Sequence, residues 1–298
     1  MRPIILLVAL CTCWSPSFGQ APQSANLWRV TTASLTLPPA LQTGPAGLAW
    51  NPAAENGRSG LSAAVHVAQT SDVVGLSSIL VGVSKPIGGN VKIGISGGRI
   101  DIRDLVRTSS SPTSEGTIPV FTQFLGASGQ YEFGGLVFGG LLRLHNARFD
   151  LETSNGFTLD FGARFRASPR LVLAAATHFL PVDISGRETT DYYAGIEYTV
   201  LPGLFIGSVE AQVLTRYGLT YHAAERLEHM LGGGLMLGGH FRLDASLTRE
   251  TGYQASGWRP AVAVSISIGK YELGIARSNG LNDLGATYRI GLDARLIR

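Results

Sequence analysis

Cysteine is nearly missing from this chain. Its 298 residues hold two, Cys11 and Cys13, both close to the start. The remainder therefore has no disulfide framework and no thiolate metal site. Charge is also scarce: Lys, Arg, Asp and Glu make up 15% of the residues, against about 25% in a typical soluble domain. The formal net charge is only +3 and the basic residues are scattered, so no stripe or tail points to nucleic acid. Long apolar runs are absent as well. No stretch reaches the roughly 18 residues of a spanning helix, which excludes a helical membrane protein. Disorder is excluded by the 45% hydrophobic content, because disordered chains are charged and poor in aliphatics.

Small residues take the place of charge. There are 38 glycines, nearly twice the usual share. The chain begins with Arg2, an apolar run from Ile4 to Cys13, and Ser17-Phe18-Gly19 with small residues at the −3 and −1 positions. That order reads as a cleaved secretory signal peptide over 1–19, and so as an exported protein. Residues 20–58 form a second region. Pro22, Pro38, Pro39, Pro45 and Pro52 break any long strand or helix there, and Gly44–Ala53 is a turn-rich stretch with one large aromatic, Trp50.

From 59 to 298 the pattern has period two. In Phe241–Glu250, Phe241, Leu243, Ala245 and Leu247 face one way, and Arg242, Asp244, Ser246, Thr248 and Glu250 the other. Successive strand side chains alternate sides, so one face is apolar and the other wet. Thr158–Arg166, Pro260–Ile268 and Leu284–Leu296 repeat the pattern. Turn signals recur at Pro86–Asn90, Gly134-Gly135, Ser154–Gly156, Ser168-Pro169, Pro202-Gly203, Gly238-Gly239 and Ser278–Gly280. Between them lie about 14 strands of about 9–13 residues. Longer connections fall near Asp104–Thr122, Pro181–Thr190, Leu219–Glu228 and Glu250–Gly257. Two segments change phase, at Gly97-Gly98 and after Leu144. Either a glycine-marked bulge re-aims the face or the strand runs on beyond the bilayer; for Leu141–Glu152, with its charged far end, the second is expected.

Such strands suit a soluble sandwich or a closed barrel in lipid. Segment length, wet faces of Gly, Ala, Ser and Thr, and aromatics near segment ends (Tyr131, Phe133, Phe157, Phe179, Tyr192, Tyr193, Tyr217, Tyr253, Trp258, Tyr271) favour the barrel. The expected fold is all-β: a closed antiparallel transmembrane β-barrel of the bacterial outer membrane. On that reading Arg164, Arg166, Arg242, Asp244, Glu250, Arg289, Asp293 and Arg295 face the lumen, as a paired filler network or as a polar path.

An aromatic followed by Asn-Pro-Ala, here Trp50-Asn51-Pro52-Ala53 after a stretch rich in Gly and Ala, resembles the long-chain fatty-acid transporter (FadL-like) family of outer-membrane barrels. It is similar also to the PorV and PorQ barrels of type IX secretion. The resemblance implies a 14-stranded barrel with the N-terminal segment, 20–58, folded into the lumen as a plug, and Trp50, Asn51, Pro52 and Ala53 as its motif. It implies passive transport of hydrophobic small molecules. The alternative is a structural or docking barrel that binds secretion-system proteins. The expected surroundings are outer-membrane lipid, with no nucleic acid, cofactor or metal.

An enzyme is not expected. No Gly-x-Ser-x-Gly elbow and no His-Glu-x-x-His occurs. Of the six histidines, only His145-Asn146 and His240 with Asp244 resemble the base and orienter of a catalytic set.

Overall fold

A computed structural model describes residues 28, 35–54, 60–72, 74–103, 105–107, 116–181, 190–222, 226–252, 255–280 and 285–296. The expected signal peptide, 1–19, and, of the expected plug, most of 20–34 and all of 55–58 lie outside the described residues.

Fourteen antiparallel strands pair in sequence order and close into a barrel. They are β1 (Ser62–Gln69), β2 (Leu76–Gly88), β3 (Val91–Ile102), β4 (Val120–Phe133), β5 (Leu136–Phe149), β6 (Glu152–Ser168) and β7 (Leu171–Pro181). Then follow β8 (Asp191–Ile206), β9 (Val209–His222), β10 (Arg226–Leu237), β11 (Phe241–Gly252), β12 (Ala255–Ile268), β13 (Tyr271–Asn279) and β14 (Ala286–Arg295). The seam is β1 against β14, in register from Ser62↔Arg295 to Gln69↔Tyr288. Closure leaves no sheet edge with unpaired N–H and C=O groups, the condition for a sheet to sit in hydrocarbon.

The alternation places apolar side chains outside. On β1 and β2, Val65, Val67, Ile79, Val81 and Val83 are exposed, while Ala64, Ala68, Leu80 and Ser84 are buried. On β12 and β13, Val262, Val264, Ile266, Leu273 and Ile275 face out. A soluble sandwich would bury these residues; here they form a girdle of outer-membrane type, edged by Tyr131, Phe133, Tyr192, Tyr217, Trp258 and Tyr271. Two aromatics expected in the girdle are inside instead. Phe179 and Tyr193 are buried in the lumen, Phe179 because a register shift between β6 and β7 and its own positive φ of 59° turn it inward.

One end of the barrel has tight turns. Gly134 and Gly135 join β4 to β5 with φ of 56° and 83°, the left-handed pair that a two-residue hairpin prefers. The other end carries the longer connections, such as 103–119. Both chain ends of the barrel lie at the tight-turn end, as an even strand number requires.

Several boundaries differ from expectation. Ser154–Gly156 lies within β6 and Pro202-Gly203 within β8. The turns fall at Asp150-Leu151, where Asp150 takes φ 57°, and at Gly207-Ser208. Asp is among the few residues that accept this conformation. The Pro202-Gly203 pair is absorbed as an irregularity between Leu201 and Leu204. The connections near 219–228 and 250–257 are shorter than expected, since β9 runs to His222, β10 starts at Arg226, β11 runs to Gly252 and β12 starts at Ala255. No register shift accompanies either change of phase, at Gly97-Gly98 or after Leu144. Both strands run straight on, with Arg99, Asp101, Asn146 and Arg148 on the outer side.

Eight strands close around a space that side chains fill, and sixteen leave a water channel. Fourteen leave a lumen, and residues 35–54 occupy part of it. A 3₁₀ turn, Pro39–Leu41, packs against β7, β8 and β9. A single helical turn, Gly44–Gly47, packs against β1, β2 and β3. Leu35, Ala40, Leu41, Leu48, Asn51 and Ala53 are fully buried.

Candidate functional site

Among the described residues, the segment 35–54 fills one half of the lumen and leaves the other open. In the filled half the wall is shaped for close approach. A Cβ on Gly82 or Gly139 would enter the backbone of Pro45 or Pro52, and on Gly162 the side chain of Asn51. Gly94, Gly195 and Gly218 likewise face Leu48, Leu41 and Pro38. These six glycines form a bed on which the plug lies.

The plug's carbonyls are met by donors from the wall. Gln130 Nε2 donates to Pro52 O at 2.8 Å and to Ala54 O at 3.0 Å. Arg143 donates to Ala49 O at 2.5 Å, and Arg164 to Leu41 O at 3.2 Å. Within the plug, Asn51 Nδ2 donates to Ala40 O at 2.6 Å and Asn51 Oδ1 accepts from Ala53 N at 2.8 Å. Asn51 thereby ties the 3₁₀ turn to the turn Asn51–Ala54, which Ala54 N closes by donating to Asn51 O at 2.8 Å and which Pro52 presets. Trp50 lies 5.5 Å from the His178 ring, in an apolar cluster with Trp28, Leu80, Phe124 and Phe179.

Behind the plug runs a buried polar chain. Arg143 forms an ion pair with Asp160, and both are fully buried. Asp160 also accepts from Phe179 N at 2.8 Å. Tyr193 lies between His178 Nδ1 (3.2 Å) and Asp191 (3.4 Å). His222 Nδ1 meets Asp191 at 2.7 Å and His222 Nε2 meets Glu228 at 3.3 Å. In low dielectric such groups are tolerable because each charge has a partner.

The open half is bounded by β10–β14 and β1. Arg216 bridges Glu197 (2.5 Å) and Asp244 (2.6 Å), in a gap made by Gly234, whose Cβ would meet both Arg216 and Asp244. Arg242 pairs with Asp244 at 2.7 Å, and His66 Nε2 with Asp293 at 3.0 Å. A cavity of about 350 Å³ opens at the tight-turn end beside Lys270, Glu272, Asp293 and Arg295. A second, of about 110 Å³, is lined by Gln42, His66, Arg242, Asp244, Arg289 and Asp293. The two share Thr43, Glu272 and Asp293. A third, of about 20 Å³, continues from His66 and Arg289 to Trp28 and Trp50.

Of the residues singled out in the sequence, Arg242, Asp244, Arg289, Asp293 and Arg295 gather along the open half. Arg164 instead holds the plug. Arg166 shares its face near the tight-turn end. Glu250 belongs to β11, and its side chain lies outside the described residues. Trp50, Asn51, Pro52 and Ala53 are all in the plug. The candidate catalytic pairs do not form. His145 points inward to Thr158 (2.7 Å) and Asn146 outward to Asn155 (2.8 Å), while Asp244 is held by Arg216 and Arg242.

Sequence reasoning did not single out Arg143, Gln130, Arg216 or His66. Arg143 had a readable signal: one cation between Leu142 and Leu144, two outward residues, must point in.

No known protein family matches the chain, and no curated protein does. Among solved structures, outer membrane protein Omp33 of Acinetobacter baumannii is 8% identical, covers 80% of this chain and 98% of its own, and has a TM-score of 0.49. A porin of Rhodopseudomonas blastica is 11% identical, with coverage of 78% and 98% and a TM-score of 0.41. The KdgM porin is 9% identical, with coverage of 79% and 99% and a TM-score of 0.37.

Proposed function

We propose that the protein is a channel of the bacterial outer membrane, exported by its cleaved leader, and that small polar solutes cross it along the wall the plug leaves uncovered. The outward girdle supports the location, because its aliphatic side chains are stable only against lipid. The observation that carries the channel reading is that the two polar cavities adjoin, with Thr43, Glu272 and Asp293 in the walls of both. The path runs from the tight-turn end between Arg242, Asp244 and Asp293 to its narrowest point, where Arg289 and His66 adjoin Trp28 and Trp50. Selection takes place there, by size and by the placement of opposite charges.

A second reading is favoured by the apolar cluster of Trp28, Trp50, Leu80, Phe124 and Phe179 at the plug's far side. It is the passage of hydrophobic small molecules that the resemblance to fatty-acid transporters implies, with the plug displaced in transit.

Purified protein in liposomes separates the two. Polar solutes such as small sugars and amino acids should swell the vesicles, and Arg289→Ala should raise the rate by widening the narrow point. Uptake of a fatty acid without any polar flux would overturn the polar reading in favour of the second.

A further inference from the structure

The outer wall carries a feature the channel does not use. Facing outward across four strands, Arg99, Gln123, Asn146 and Asn155 are paired in register from β3 to β6. Arg99 donates to Gln123 Oε1 at 3.2 Å, Gln123 Nε2 to Asn146 Oδ1 at 3.2 Å, and Asn146 Nδ2 to Asn155 Oδ1 at 2.8 Å. A groove of about 630 Å³ adjoins this row, walled by Ile79, Val81, Leu125, Leu144 and Phe157. Its floor is Gly97. A Cβ there would find only ordinary contacts, 3.4 Å or more from its neighbours, so packing does not force the gap.

We propose that this groove holds an acyl chain of one glycolipid of the outer leaflet, with the sugar headgroup on the polar row. The inference rests on the outer-membrane reading. The longer connections mark the outer end of such a barrel, and the row lies toward that end of each strand. The groove is apolar, as a hydrocarbon chain requires. Within the row the one cation, Arg99, is committed to Asp101 at 2.7 Å, so the row itself offers a headgroup amides rather than charge. The amides instead keep open valences: each NH₂ has two donors and each carbonyl two lone pairs, and the row uses about half of them. Alternating donors and acceptors match the hydroxyls of a sugar.

The test is native mass spectrometry of the full chain, taken from the outer-membrane fraction in mild detergent. The wild type should carry one glycolipid. Gly97→Leu projects a branched side chain into the groove and should lower retention about tenfold, the factor produced by losing contact with about two chain methylenes. Gly129→Leu, on the same outer wall with nothing within 4 Å of its Cβ, should retain it. Gln123→Leu with Asn146→Leu should keep an acyl chain bound and lose the preference for sugar headgroups. A retained phospholipid, no retained lipid, or a Gly97→Leu variant that holds lipid as well as the wild type overturns the proposal. Fractionation and heat-dependent gel mobility report separately on membrane insertion, so failure of the outer-membrane reading is distinguishable.

Discussion

Gly139 and Gly140 are neighbours on β5 that face opposite ways, and the same substitution should have opposite effects at the two. At Gly140 a Cβ points outward and meets nothing within 4 Å. Gly140→Ala should be neutral or stabilise by up to about 1 kcal/mol, since alanine loses less backbone entropy in a strand. At Gly139 the Cβ would enter the carbonyl of Pro52 and the nitrogen of Ala53. The wall cannot yield, being paired with β4 and β6 on both sides, so the plug turn must retreat on the order of 1 Å. That retreat breaks the bonds from Gln130 to Pro52 O (2.8 Å) and Ala54 O (3.0 Å). Two such bonds are worth about 2 kcal/mol net, and residual overpacking adds about 1–3 kcal/mol. Plug docking should therefore weaken by about 3–5 kcal/mol, a factor of some hundreds or more in the docked population. Single-channel recording in planar bilayers reads this as frequent large openings in Gly139→Ala and none in Gly140→Ala. Protease resistance of 35–54 checks it independently. Equal conductance and equal protection in the two variants would refute the claim that the glycine bed holds the plug.

Other outcomes follow from the same geometry. Arg143→Met leaves Asp160 buried without its ion pair and should lower the heat-modifiability midpoint by an amount equivalent to about 3–5 kcal/mol, while Arg143→Met with Asp160→Asn should recover much of it. Asn51→Ala removes the bonds to Ala40 O and from Ala53 N and should loosen the plug by about 2 kcal/mol, seen as faster proteolysis of 35–54 with the barrel's gel shift unchanged. Val264→Arg places a charge on the lipid face and should cost about 2–4 kcal/mol in urea unfolding from liposomes, whereas Ser265→Glu, its inward neighbour opposite Arg242, should alter conductance and leave stability near the wild type. Deleting 35–54 should yield an inserted barrel with several-fold higher conductance; loss of insertion would show that the plug is needed for folding.

The wall was legible because its cause is local. In Phe241–Glu250 each residue's side of the sheet follows from its parity, and the structure places Leu243 and Leu247 outside and Asp244 and Thr248 inside. Turns were less legible where two signals competed. Ser154–Gly156 has turn chemistry, yet β5 and β6 stay paired past it to Phe149↔Glu152, because continued ladder bonds outweigh local turn preference. The site was half legible. Arg242, Arg289 and Asp293 show their direction by alternation, but their grouping beside an unfilled cavity depends on which wall the plug covers.

Parity and strand length are properties of neighbouring residues, so the chain alone determined a closed barrel with a greasy exterior and about 14 strands. What lies against what is a long-range matter. Gly162 under Asn51, Arg143 donating to Ala49, and Arg164 donating to Leu41 join positions far apart in the chain. Glycine looks the same in sequence whether it faces lipid, as Gly140 does, or the plug backbone, as Gly139 does. Only closure of the ring, which brings residues 35–54 inside and presses them to one side, decided which half of the lumen they fill.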